Sequence, residues 1–180
     1  MSHGCRTAAL AIGLGTFLSV ACGYSLAGRG SFLPASIRTI GIPLFTNATP
    51  FYELELALTE RVRSEFIGRG KYTVLPQEAG VDAVLRGEVT NITLTPAAFN
   101  DQQQATRYAI TMTAKMEFRD LAANKVIWEN PALVFREEYE VTSGGSATDP
   151  KLFFGQDANA LQRVAQDFAR TVVSAILEAF

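Results

Sequence analysis

Residues 107–121, RYAITMTAKMEFRDL, alternate apolar and polar side chains with a period of two. Tyr108, Ile110, Met112, Ala114, Met116 and Phe118 share one parity; Arg107, Thr111, Thr113, Lys115, Glu117 and Arg119 share the other. Successive side chains of a strand point to opposite faces. The pattern therefore describes a strand with one face packed and one wet, the usual condition of an antiparallel sheet. DLAANK at 120–125 turns the chain, and VIWENPALVFREEYEV at 126–141 returns as the partner strand, interrupted at Asn130-Pro131. Upstream, DAVLRGEVTNITLTP at 82–96 is a third long strand whose apolar parity slips between Val89 and Ile92. A slip of that kind predicts a bulge.

The earlier part of the chain adds two short strands and a helix. IRTIGIPLF at 37–45, with Ile37, Ile40, Ile42 and Leu44, reads as a short strand. Pro43 has no N–H for a ladder, which puts it at an edge or a strand end. TNATP at 46–50 turns the chain, and KYTVLP at 71–76 is another brief strand. Between them the period changes. Leu54, Leu58, Val62 and Phe66 fall four apart, one face of a helix from Tyr52 to about Ile67, and Gly68 and Gly70 supply its stop. After TSGGSATDP at 142–150, a second amphipathic helix runs from about Gly155 to Leu177, with Leu161, Val164, Phe168, Val172, Ala175 and Ile176 as its stripe. Two striped helices and a sheet with one apolar face make an α+β two-layer sandwich: both helices on one face of a mainly antiparallel sheet of about four strands. A transmembrane barrel would need at least eight strands of roughly ten residues each, and the helical segments leave too little chain.

The N-terminus carries a different signal. Arg6 precedes an apolar run from about Ala8 to Ala21, shorter than the roughly 20 residues of a membrane span. A basic start, a short apolar middle and small residues at the exit describe a secretory signal. The exit, Ser19-Val20-Ala21-Cys22, resembles the bacterial lipobox, although Leu18 lies four residues before the cysteine and not the usual three. That resemblance implies removal of residues 1–21, diacylglycerol on the Cys22 sulfur, and a fatty acid, commonly palmitate, on the new amino end. Two or more acyl chains hold a protein stably on a bilayer where one is marginal. The plainer alternative is a cleaved signal followed by a coincidental cysteine. Residues 22–35 then form a lipid-anchored tether and residues 36–180 a single α+β domain.

Composition narrows the function. About 159 residues remain after cleavage, enough for one domain with a real core. The formal charge of −2 becomes −3 once Arg6 is removed, because the signal holds no acid. This is not a basic nucleic-acid binder. The sole histidine, His3, and the only other cysteine, Cys5, leave with the signal. The mature chain thus has no imidazole for Ser-His or Cys-His catalysis and no set of zinc ligands. Its acids show no pairing of the glycosidase kind; Glu137 and Glu138, adjacent in a strand, point to opposite faces. No catalytic residue, metal site or cofactor is expected beyond the covalent lipid on Cys22.

Five stretches in order, CGYSL at 22–26, LPASIRTIGIPLFTNAT at 33–49, LELALTERVRSEFIGRGKYTVL at 54–75, DAVLRGEVT at 82–90 and WENPALVFREEYEV at 128–141, resemble the LPS-assembly lipoprotein family, LptE-like. The resemblance implies an outer-membrane lipoprotein on the periplasmic side. It implies a plug and assembly factor inside a large LptD-type β-barrel that exports lipopolysaccharide, which some members bind directly. Lipopolysaccharide carries phosphates, and Arg and Lys are the groups that meet phosphates. Arg107, Lys115 and Arg119 on the wet face of the central strand, with Lys125 in the turn beyond, are the candidate contacts. Their plainer reading is as solubilising charges paired with Glu117 or Asp120. Phe153-Phe154 is read as docking the second helix, with a partner contact as the alternative. Trp128 is read as strand-face packing, with a membrane or barrel rim as the alternative. Asn47-Ala48-Thr49 and Asn91-Ile92-Thr93 match glycosylation sequons but read as turn and strand residues. A rival function is a lipoprotein regulator of a peptidoglycan synthase. It would need a long linker to the cell wall, and here the first strand begins about fifteen residues after Cys22, a spacing that keeps the body near the membrane.

Overall fold

Six strands hydrogen-bond into one sheet in a computed structural model that describes residues 33–140, 154 and 158–180. They are β1 (Thr39–Gly41), β2 (Thr46–Asn47), β3 (Thr73–Leu75), β4 (Ala83–Phe99), β5 (Ala105–Asp120) and β6 (Lys125–Glu140). Helix α1 (Leu54–Gly68) lies between β2 and β3, and α2 (Ala158–Leu177) follows β6. The order across the sheet is β3-β1-β4-β5-β6, with β2 also on β4. Signal, lipobox and most of the tether lie outside the described residues.

The α+β class and the two helices are as the sequence indicates, but the sheet corrects the expectation of about four mainly antiparallel strands. It is mixed: β1 runs parallel to both β3 and β4, and β2 parallel to β4. The cause is α1. A strand joined to its neighbour through a helix returns in the same direction, whereas a tight turn reverses it. Only β4, β5 and β6, which turns connect, form the antiparallel meander. The stretch at 37–45 also divides. Pro43 ends the ladder after Ile42, whose N–H donates to the Leu75 carbonyl at 2.8 Å, and β2 starts afresh at Thr46. The bend shifts the parity, so Leu44 is 54% exposed and Phe45 is buried in its place.

The three long strands carry the pattern from which they were read. On β5 the six residues of the apolar parity are all buried. On β4 the register shifts between Val89 and Asn91, and beyond the shift Ile92 and Leu94 return to the packed face. On β6 a shift falls where Asn130 opposes Met116 and Leu133 opposes Ala114, so that Pro131 and Ala132 together face Lys115, one extra residue that does not end the strand. Pro96 sits in β4 beyond its pairing with β2, where the strand is an edge and a missing N–H is tolerated.

Both helices cover the same face. Leu58, Val62 and Phe66 of α1 and Val164, Phe168 and Val172 of α2 join the apolar residues of β4 and β5 in one core. Full burial of each such side chain contributes about 1.5–3 kcal/mol. Ring contacts tie the layers: Phe135 meets Phe168 edge-on at 6.0 Å, and Phe66 meets Tyr72 at 6.2 Å. The buried surface of α2 is wider than its predicted stripe. Ala160, Ala165, Ala169 and Val173 are buried as well, while Leu161 and Ala175 are only half-buried, because α2 packs on α1 and on β6 together. Arg61 meets Gln162 and Arg69 meets Ser174, so the two helices run in the same direction.

Smaller features settle several alternatives. Phe154 is buried with its ring 5.0 Å from that of Phe51, the docking role expected of it; Phe153 lies outside the described residues. Trp128, opposite Phe118, is half-buried against the core. Asn47 organises the turn before α1: its carboxamide donates to Phe51 O (2.6 Å) and Glu55 Oε2 (2.7 Å) and accepts from the Thr49 N–H (2.9 Å). Glycine is required at two close approaches. A Cβ on Gly41 would run into the Gln77 carbonyl, and one on Gly87 would lie 2.9 Å from the Phe45 ring.

Candidate functional site

The solvent face of β4, β5 and β6 holds the candidate lipopolysaccharide contacts, all on the wet parity. Arg107 lies 3.1 Å from Glu140 and 3.6 Å from Glu138 on β6. Lys115 reaches Glu88 on β4 at 3.1 Å, and Arg119 reaches Glu117 at 3.1 Å on its own strand. The pairing of Arg119 with Glu117 is one that the plainer reading named. Asp120 takes no part; it accepts the Ala123 N–H at 2.9 Å and fastens the β5–β6 turn. The three bases share a face but do not converge, because eight residues of strand separate Arg107 from Lys115 by about 27 Å.

Near Lys115 the surface is concave. A groove of about 540 Å³ is lined by Leu44, Arg86, Glu88, Lys115, Glu117 and Glu129, among others. Cross-strand register places these side chains. Arg86, Glu117 and Glu129 form one row across β4, β5 and β6, and Glu88 opposes Lys115 in the next. Arg86 donates from Nε to Glu78 Oε1 at 2.8 Å and lies 3.6 Å from Glu117. The hydrogen bond from Arg86 chiefly holds the Glu78 carboxyl below the usual range, and the same bond raises the guanidinium. Glu129 directly faces Glu117. The groove thus presents paired charges, an apolar lip at Leu44 and more acid than base. It offers recognition surface for a polar partner.

Sequence reasoning missed Arg86, Glu88 and Leu44 as groove residues. The first two were legible as the wet positions of DAVLRGEVT; Leu44 was hidden by the bend at Pro43. Glu137 and Glu138 do point to opposite faces: Glu138 lies near Arg107, and Glu137 falls opposite Ile110. Among the described residues no cluster of three His, Cys, Asp or Glu side chains is placed to hold a metal. Cys22 lies outside them.

Comparison with known proteins gives the fold and the family. A family model described as LptE, lipopolysaccharide-assembly, matches residues 37–176. Among solved structures, the hypothetical protein CT253 of Chlamydia trachomatis superposes with a TM-score of 0.53 at 11% identity, covering 78% of this chain and 96% of that one. The PelC dodecamer subunit of Paraburkholderia phytofirmans superposes with a TM-score of 0.50 at 14% identity, covering 82% and 92%. At such identities the likeness shows a shared fold only. None of the curated proteins matches. The family match spans both helices and all three long strands, and the chain belongs to the LptE lipopolysaccharide-assembly family.

Proposed function

We propose, proceeding from that membership, that this chain is a non-enzymatic lipoprotein, held by acylated Cys22 on the periplasmic leaflet of the outer membrane. There it binds and plugs an LptD-type β-barrel and assists the assembly and export of lipopolysaccharide. The single observation that carries the reading is the family match over residues 37–176. The architecture supports it. One sheet face carries the core, and the other is a broad polar surface with charges paired across strands. The lumen of a large barrel is itself polar, so such a surface can fill it without an apolar patch. No helix among the described residues is long and apolar enough to cross a membrane, and the acyl chains on Cys22 supply the attachment in this reading. Lipopolysaccharide reaches Arg107, Lys115 or Arg119 only by competing with the carboxylate beside each.

The test is to purify the acylated protein from its own outer membrane and identify what co-elutes. A large β-barrel protein is the expected companion. Recovery of a peptidoglycan synthase without any barrel would overturn the proposal in favour of the regulator reading. A Cys22→Ala form should leave the membrane fraction when no barrel is present to retain it.

A further inference from the structure

The two helices carry charge differently from the sheet. On their solvent side a shallow groove of about 450 Å³ runs between α1 and α2, lined by Arg61, Gln162, Arg163, Gln166, Asp167 and Arg170, with Asn159 at one end. Three guanidinium groups and one carboxylate line it, on a chain whose formal charge is −2. Asp167 is already engaged, by Arg170 at 3.6 Å and by the Tyr139 hydroxyl, which donates to it at 3.1 Å. Arg163 stacks over the Tyr139 ring at 5.6 Å.

Arg61 is the informative residue. The residue is half-buried, and its guanidinium is fixed by neutral partners: Nε and Nη2 donate to Gln162 Oε1 at 3.2 and 2.8 Å, and Nη1 to Gln166 Oε1 at 3.4 Å. The other half-buried arginines described, Arg63, Arg107 and Arg119, each have a carboxylate within ion-pair distance; Arg61 has none among the described residues. A guanidinium carries five N–H donors, so three bonds leave two for a ligand. The two carboxamides that orient the fork offer dipoles but no charge. The arrangement holds an arginine ready for an anion that none of the described residues provides.

We propose that this groove binds the phosphodiester of an anionic phospholipid headgroup, of the phosphatidylglycerol type, in the leaflet to which the chain is anchored. The inference rests on the anchored reading of Cys22. Only ten residues lie between Cys22 and Leu33, the first described residue, a reach of about 40 Å when fully extended, which keeps the folded body near the headgroups. A monoanionic phosphodiester fits two open donors on one arginine, with Arg170, 63% exposed, as a second contact. Juxtamembrane bases add their attraction within about a Debye length of an anionic surface.

The test uses the full mature chain with Cys22→Ser, so that binding by the groove is separated from binding by the acyl chains. Co-sedimentation is measured with vesicles of phosphatidylglycerol and phosphatidylcholine, with pure phosphatidylcholine, and with inorganic phosphate or lipopolysaccharide as competitors. Binding to the mixed vesicles alone is expected, weakened by salt and lowered about fivefold by either Arg61→Gln or Arg170→Gln. Arg170→Gln guards against a folding defect, since that side chain is exposed. Lys115→Gln and Arg119→Gln should leave binding unchanged. Equal binding to pure phosphatidylcholine, no effect of either helix substitution, or a loss caused only by the strand substitutions would overturn the proposal. So would competition by lipopolysaccharide or free phosphate without retention on the mixed vesicles. Co-purification of the acylated protein with a barrel stands or falls separately.

Discussion

Adding one methyl group to Gly41 tests the mixed sheet at its most crowded point. Gly41 lies in β1, paired with Leu75 of β3 on one side and Val84 of β4 on the other. A Cβ there would overlap the Gln77 carbonyl oxygen and come within 3.0 Å of Val81 Cγ2. The Val81 methyl can rotate away. The carbonyl belongs to the backbone that follows β3 and can retreat only if that segment moves. Overpacking typically costs about 1–3 kcal/mol, and a backbone obstacle puts Gly41→Ala at the upper end, about 3 kcal/mol. Gly68→Ala is the matched control: it adds the same group in α1, where nothing lies within 4 Å. Losing a helical glycine there should stabilise by about 0.5–1 kcal/mol. Urea unfolding of the unacylated chain, followed by circular dichroism, measures both. With m near 1–3 kcal/mol/M, Gly41→Ala should lower the midpoint by roughly 1–3 M, and Gly68→Ala should raise it slightly. A Gly41→Ala midpoint within a few tenths molar of wild type would refute the claim that β1 is wedged between β3 and β4 against the Gln77 backbone.

Three further outcomes follow from the same geometry. Asp82 Oδ2 accepts the Thr39 N–H at 2.8 Å and the Arg38 N–H at 2.9 Å, and these bonds hold its carboxyl below the ordinary aspartate range. Its contribution is therefore complete above the unfolded pKa and fades as pH falls through the folded one; Asp82→Asn should destabilise clearly at pH 7, and the gap to wild type should narrow in unfolding curves below about pH 4. Tyr139, pushed well above the usual phenol range by burial first and then by Asp167, contributes fully below the unfolded tyrosine pKa of about 10 and loses that contribution only at higher pH. Tyr139→Phe should cost about 1 kcal/mol at pH 7, and alkaline difference spectra should be the same for wild type and Tyr139→Phe as long as both stay folded, the extra phenol of wild type appearing only on unfolding. Glu129 faces Glu117 across the sheet, so Glu129→Lys should raise stability by about 0.2–1 kcal/mol, a gain that melting curves in 1 M salt should erase.

The long strands and both helices were legible because each buries one face against one core. Period-two burial on β5 and period-four burial on α1 follow directly from that, and even the β4 bulge left its mark, since a parity slip at Thr90 is the only way to bring Val89 and Ile92 to the same side. The direction of the short strands was not legible. β1, β2 and β3 span three, two and three residues, too short for a period to distinguish parallel from antiparallel neighbours; direction there follows from the α1 crossover. The groove was half legible. Alternation places Arg86, Glu88, Lys115 and Glu117 on the wet face, but their partners depend on register, which a single strand's pattern does not contain. Nothing in the local sequence distinguishes Arg61 from the other charges of α1; only the parallel approach of α2, about a hundred residues later in the chain, brings Gln162 and Gln166 to it.

The central claim is that the polar sheet face is the surface a barrel encloses. Photo-crosslinking in cells tests it most directly, with a crosslinking residue in place of Thr113, at the centre of that face on β5. Adducts with a large outer-membrane β-barrel protein are predicted there, and none from Ser174 on α2. Adducts with a peptidoglycan synthase alone, or barrel adducts from Ser174 and none from Thr113, would contradict it.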